Sequence, residues 1–139
     1  MVDPDARRYL RIAQADLDEA QRMVKLTGFR DSSIGFRLQQ ACEKALKSWI
    51  HIKGGLAPFT HDLVALMDWL KESGTDVNAF AQIADLSFFA VQTRYDDTVE
   101  ISSPDWPLLL GITVLLLDQV QGPLCQQSCP LGLTHPPGA

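Results

Sequence analysis

Arg37, Gln40, Lys44, Lys47 and His51 recur at the spacing of one helix face. Such a face can form a cationic ridge for a nucleotide phosphate or an acidic partner, since Lys and Arg supply charge-assisted donors. It can equally be a solvated helix surface, as most such stripes are. Gln39 and Glu43 lie one turn apart on the border of the same segment. They can bond the edge of a base, but satisfying polar groups on neighbouring helices is the simpler role for them. His61 beside Asp62 falls where a helix should begin, where an imidazole can titrate, orient a phosphate or simply complete the turn. Further on, the Arg94 guanidinium, with Tyr95 beside it, can reach a phosphate or clamp Asp96 and Asp97.

Other chemistries lack their residues. Cys125-x3-Cys129 with His135 offers thiolates and an imidazole, but a fourth ligand and a second spaced pair are absent, so no metal is expected. There is no Gly-rich phosphate loop, no Gly-x-Ser-x-Gly elbow and no pair of catalytic acids. No cofactor is expected either.

The elements that must position these groups are helices. Period-2 alternation never persists, and Gly or Pro punctuates the chain at helical lengths, so the reading is all-α. A first helix is expected from about Pro4 to Thr27, with Tyr9, Ile12, Ala13, Leu17, Ala20, Met23 and Val24 as its stripe and Gly28 as its stop. The second, about Asp31 to Lys53, starts from a cap at Asp31 or Ser32 and ends at Gly54-Gly55. Leu38, Ala41, Cys42, Ala45, Leu46, Trp49 and Ile50 form its apolar arc. Thr60 should cap the third, with Asp62 in its first turn, Leu63, Leu66, Met67 and Leu70 inward, and Gly74 at its end.

A fourth helix, about Asp76 to Gln92 with Thr75 as cap, should bury Phe80, Ile83, Ala84, Leu86 and several of Phe88, Phe89 and Val91. A loop from Arg94 to Ser103 leads to a fifth helix that opens at Ser103-Pro104 and continues to about Gln121. Apolar residues cover its circumference, which places it at the centre of a bundle or against a second subunit. Residues 122–139, rich in Gly and Pro, read as a disordered tail.

A chain of 139 residues fits one compact domain, residues 1–121, and that tail. Its formal charge of −5 argues against a generic nucleic-acid coat. Residues 1–70 carry +1 and residues 71–139 carry −6, so an anion site belongs in the first half. Three cysteines, one of them within a periodic helix, argue against a secreted disulfide framework, and a cytoplasmic location is expected. The greasy stretch from Trp106 to Leu117 is shorter than the roughly 20 residues of a membrane span, so no insertion is expected.

Four phrases occur in a recognisable order: Ala13-x-x-Asp16-Leu17-x-x-Ala20; Phe36-Arg37-Leu38-Gln39-Gln40-Ala41-Cys42-Glu43-Lys44-Ala45-Leu46-Lys47; Thr60-His61-Asp62-Leu63; and Arg94-Tyr95. Together they resemble the HEPN family of small prokaryotic helical domains over about residues 5 to 120. The resemblance implies an up-and-down bundle of four long helices plus a shorter one, commonly a homodimer. It also implies a role beside a separately encoded minimal nucleotidyltransferase, sometimes as a toxin–antitoxin pair, with a nucleotide or RNA as ligand. Arg37, Gln40, Lys44, Lys47, His61, Asp62, Arg94 and Tyr95 are the candidate binding residues.

Other members of the wider family are metal-independent ribonucleases with an Arg-x(4 to 6)-His motif, in which an imidazole moves a proton and a guanidinium holds the phosphate. Arg94 matches the arginine, but the histidine positions hold Val99, Glu100 and Ile101. None of His51, His61 and His135 has an arginine five to seven residues before it. The expectation is therefore a binding subunit, with a divergent ribonuclease built from Arg94 and His61 as the alternative.

Overall fold

The computed structural model describes residues 3–87 and 104–128, and every element in them is helical. They are α1 (Pro4–Lys25), α2 (Asp31–Ile52), α3 (Leu63–Glu72), a 3-10 helix (Asn78–Leu86) and α4 (Trp106–Ser128). The all-α expectation is met. Among the described residues, however, three helices are long and two are short. Arg94, Tyr95, Asp96, Asp97, Cys129, His135, the Ser103 cap and the end of the expected fourth helix with Phe88, Phe89 and Val91 lie outside the described residues.

Four helix starts differ from the sequence reading, each for a local reason; α4 opens at Trp106, two residues after Pro104, with the Asp105 carboxylate accepting from the Leu108 amide at 3.0 Å. At α2 the cap position is Arg30, which makes no side-chain cap bond. The Asp31 carboxylate instead accepts from the Trp106 indole Nε1 at 2.9 Å, fastening α2 to α4. At α3 the cap is Asp62, two residues after Thr60, because its carboxylate accepts from the Val64 and Ala65 amides while the Thr60 hydroxyl accepts from Asp62 N. The expected fourth α-helix is a 3-10 helix over Asn78–Leu86. Its buried residues, Phe80, Ile83 and Leu86, and Val77 at the cap position just before it recur every third position, which is the 3-10 repeat.

The ends of α2 and α3 are alike. Gly54 takes φ +90°, its amide bonds the His51 carbonyl at 3.0 Å and that of Gly55 bonds Ile50 at 3.0 Å. Gly74 repeats the arrangement at φ +89°, with its own amide on Lys71 and that of Thr75 on Leu70. These are paired reverse bonds around a left-handed residue, a conformation in which glycine has no Cβ penalty.

The core is one cluster, and α2 packs against every other element. The α1 residues Ala13, Leu17 and Ala20 meet Leu38, Ala41, Ala45 and Leu46 of α2 in it, and Leu116, Leu117 and Val120 of α4 join them. Two buried polar bonds cross between helices. Ser48 Oγ donates to the Ala6 carbonyl at 2.7 Å. Thr113 spends its hydroxyl proton on the Leu109 carbonyl, so the Cys42 thiol is the donor in their 3.4 Å contact.

α4 runs seven residues past the expected end, through Gly122 and Pro123 to Ser128. The segment Trp106–Leu124, longer than the expected stretch because Asp118 is its lone charge, is apolar enough over 19 residues to cross a membrane by length and composition. One side of it packs into the bundle through Leu109, Ile112, Leu116 and Leu117, while Leu108 and Leu115 are exposed.

Candidate functional site

The polar stripe of α2 is neither a free cationic ridge nor a solvated face. Arg37 turns to α1, where it pairs with Asp16 at 3.1 Å and Glu19 at 3.0 Å. His51 is buried, with Nδ1 3.0 Å from Asp3 Oδ2 and Nε2 accepting the Ala57 amide at 3.3 Å. Lys47 is buried as well and Lys44 is half-buried. The stripe is covered because α2 runs through the middle of the molecule, with the start of α1 and the loop before α3 lying over its polar side.

The centre of this polar layer is Glu43, whose side chain has no exposure. Its Oε2 accepts from Lys47 Nζ at 2.9 Å and Lys44 Nζ at 3.2 Å. Its Oε1 faces His61 Nδ1 at 2.9 Å and accepts from Gln39 Nε2 at 3.4 Å. Gln39 Nε2 also donates to the His61 carbonyl at 2.9 Å, and Gln40 Nε2 donates to Gln39 Oε1 at 2.8 Å. Burial pushes the Glu43 pKa up, but the bonds from Lys47 and His61 and the charges of Lys44 and Lys47 outweigh it and hold the carboxyl below its ordinary range. Glu43 is therefore an ionised acceptor enclosed by donors.

The geometry thus brings together Gln40, Lys44, Lys47 and His61 from the sequence-nominated residues, and separates Arg37 from them. Of the assembled group, His61 is the most open to ligand, with its side chain 67% exposed against 21% for Lys44 and 8% for Lys47. Asp62 is exposed but engaged in capping. The Val64 and Ala65 amides at this helix start are already taken by that carboxylate. Glu43, the hub, is not in the set of candidate binding residues; the structure gives it the simpler role its border position suggests, satisfying polar groups around it. Its signal was the spacing Gln39, Glu43, Lys47, which stacks donor, acceptor and donor at successive turns.

Asp3, Asp5 and His51 place three ligand-type atoms within 4.8 Å of one another. The Ala57 amide on His51 Nε2 leaves the neutral ring's proton on Nδ1, directed at Asp3. A metal at Nδ1 would need the proton moved to Nε2, against that amide. The Asp3 carboxylate also caps α1 by accepting from Asp5 N at 2.8 Å, so the cluster has a complete structural account.

No curated protein and no solved structure matches the chain. A family model, that of the HEPN domain, matches residues 6–110, a span that takes in α1, α2, α3, the 3-10 helix and the Arg94-Tyr95 pair. With most of its length matched and its described residues folded as an all-helical bundle, the chain belongs to the HEPN domain family.

Proposed function

We propose that this HEPN domain binds and does not cut. In this reading it is a non-catalytic, homodimeric, cytoplasmic accessory subunit that holds a nucleotide or RNA for a minimal nucleotidyltransferase, as one half of a toxin–antitoxin pair. The observation that carries the reading is the run after Arg94, where Val99, Glu100 and Ile101 stand in place of the proton-transferring histidine of the family's ribonucleases. The polar layer around Glu43 adds support, since it leaves an exposed imidazole beside a half-buried ammonium, a pair suited to gripping a polar ligand. Co-expression with the neighbouring open reading frame tests it. A stable complex is expected, and failure of any nucleotidyltransferase to co-purify contradicts the accessory role.

One observation favours a second reading, a divergent metal-independent ribonuclease using Arg94 and His61. The His61 ring is backed by a buried carboxylate, as the imidazole of a general base often is. Under that reading expression arrests growth and His61→Ala relieves the arrest.

A further inference from the structure

His61 is open to solvent, yet both its ring and its backbone are fixed from α2. Nδ1 lies 2.9 Å from Glu43 Oε1, and the carbonyl accepts from Gln39 Nε2 at 2.9 Å. The Glu43 carboxylate accepts from Lys44 and Lys47 on its other oxygen, and an ionised carboxylate can only accept. The ring nitrogen that faces it must therefore carry a proton. A neutral imidazole has one such proton, so Nε2 is then bare. Nε2 has no partner among the described residues.

We infer that Glu43 is a positioning residue that locks the neutral His61 ring as the Nδ1–H tautomer, so that the exposed Nε2 offers a lone pair and the ligand meets it with a hydroxyl or N–H donor. The ligand clause rests on the proposed nucleotide-binding role; the tautomer clause stands without it. Two neighbouring features agree with a ligand that presents an uncharged donor there and not a phosphate oxygen. The amides at the start of α3 are already bonded to the Asp62 carboxylate, at 2.9 Å for Val64 and 3.4 Å for Ala65, so the adjacent helix start carries negative charge. Phe59, two residues before His61, is fully exposed, and Leu56 is nearly so. An exposed aromatic ring can take a base by stacking, which is tolerant of which base it holds. Nucleosides, with ribose hydroxyls and a planar base, have this combination.

Two-bond ¹H–¹⁵N correlation spectra of the full chain, recorded where His61 is neutral, read the tautomer directly. The expected spectrum has a protonated Nδ1 and an unprotonated Nε2; a protonated Nε2 in the wild type overturns the inference outright. The double substitution Glu43→Met with Lys47→Met removes the carboxylate and a lysine that pairs with it, and replacement of a buried ion pair by apolar side chains is commonly tolerated. In this variant the proton is expected to move to Nε2, and retention on Nδ1 shows that Glu43 does not hold it. Titration of the wild type with adenosine and, separately, with inorganic phosphate tests the ligand clause. A shift of the Nε2 resonance with adenosine alone is expected, whereas a shift with phosphate alone overturns the donor requirement. Silence with both overturns the ligand clause and counts against nucleotide binding, while leaving the tautomer result intact.

Discussion

Nδ1 of His61 stands 2.9 Å from Oε1 of Glu43, so a side chain on the surface is tied to one with no solvent contact. The bond spans the loop between α2 and α3 and makes the candidate site part of the bundle's buried polar layer. Disturbing that layer should therefore register in stability as well as in binding.

Acid should reveal Glu43. Its carboxyl is held below its ordinary range in the folded chain, whereas an unfolded glutamate titrates near about 4.3. Its stabilising contribution is thus fully present above that value and is lost as pH falls through the lower native value. Asp16 works in the opposite direction: burial outweighs the Arg37 bond and raises its pKa, so proton uptake there favours the folded chain as pH falls. A single variant separates the two. Glu43→Gln should lower Tm at neutral pH and flatten the acid limb of Tm against pH. A curve parallel to that of the wild type would mean that Glu43 ionisation contributes nothing.

Neighbouring lysines should behave differently. Lys47→Ala leaves a buried carboxylate short of its closest lysine, and removing one partner of a buried pair costs about 3 kcal/mol or more. Lys44 is more exposed and its bond is longer, so Lys44→Ala should cost about 1 kcal/mol or less. Leu46→Ala, in the apolar core, should cost about 2 to 5 kcal/mol. Chemical denaturation of the three variants checks the order, and equal losses for the two lysines would refute the burial argument.

Cys42 should be inert in the folded protein. It is wholly buried, and burial pushes its thiol pKa up to about 12. The thiolate is the reactive form, so alkylation mapped to Cys42 by peptide mass should follow global unfolding. Fast labelling under native conditions would contradict the packing of α2 on α4.

The turn after α2 should reject even a methyl group. A Cβ on Gly55 would collide with the Trp69 ring and lie 3.2 Å from an Ile50 methyl carbon. Gly55→Ala should cost about 1 to 3 kcal/mol, in the range of overpacked sites. Combining it with Trp69→Leu should recover part of that loss, since contacting residues are not additive. Simple additivity would place the strain elsewhere.

The helical bundle was legible because its apolar stripes are clean: Leu38, Ala41, Ala45 and Leu46 follow the helical period, and Gly54 and Gly74 mark real ends. The caps were less so, because Asp31 and Thr60 are good capping types whose side chains serve other partners. Phe80, Ile83 and Leu86 suit an α-helix almost as well as a 3-10 helix, and only the buried Val77 makes the period of three plain. The polar stripe misled most. Periodicity places Lys47 and His51 opposite the core face, but it is silent about the loop and the N-terminus that cover them.

Without a histidine at residues 99–101 after Arg94, the domain should bind RNA without cleaving it. The decisive experiment incubates the purified chain with mRNA and tRNA in the absence of divalent metal. RNA should remain intact over prolonged incubation. Degradation that disappears in both Arg94→Ala and His61→Ala would contradict it and establish the ribonuclease reading.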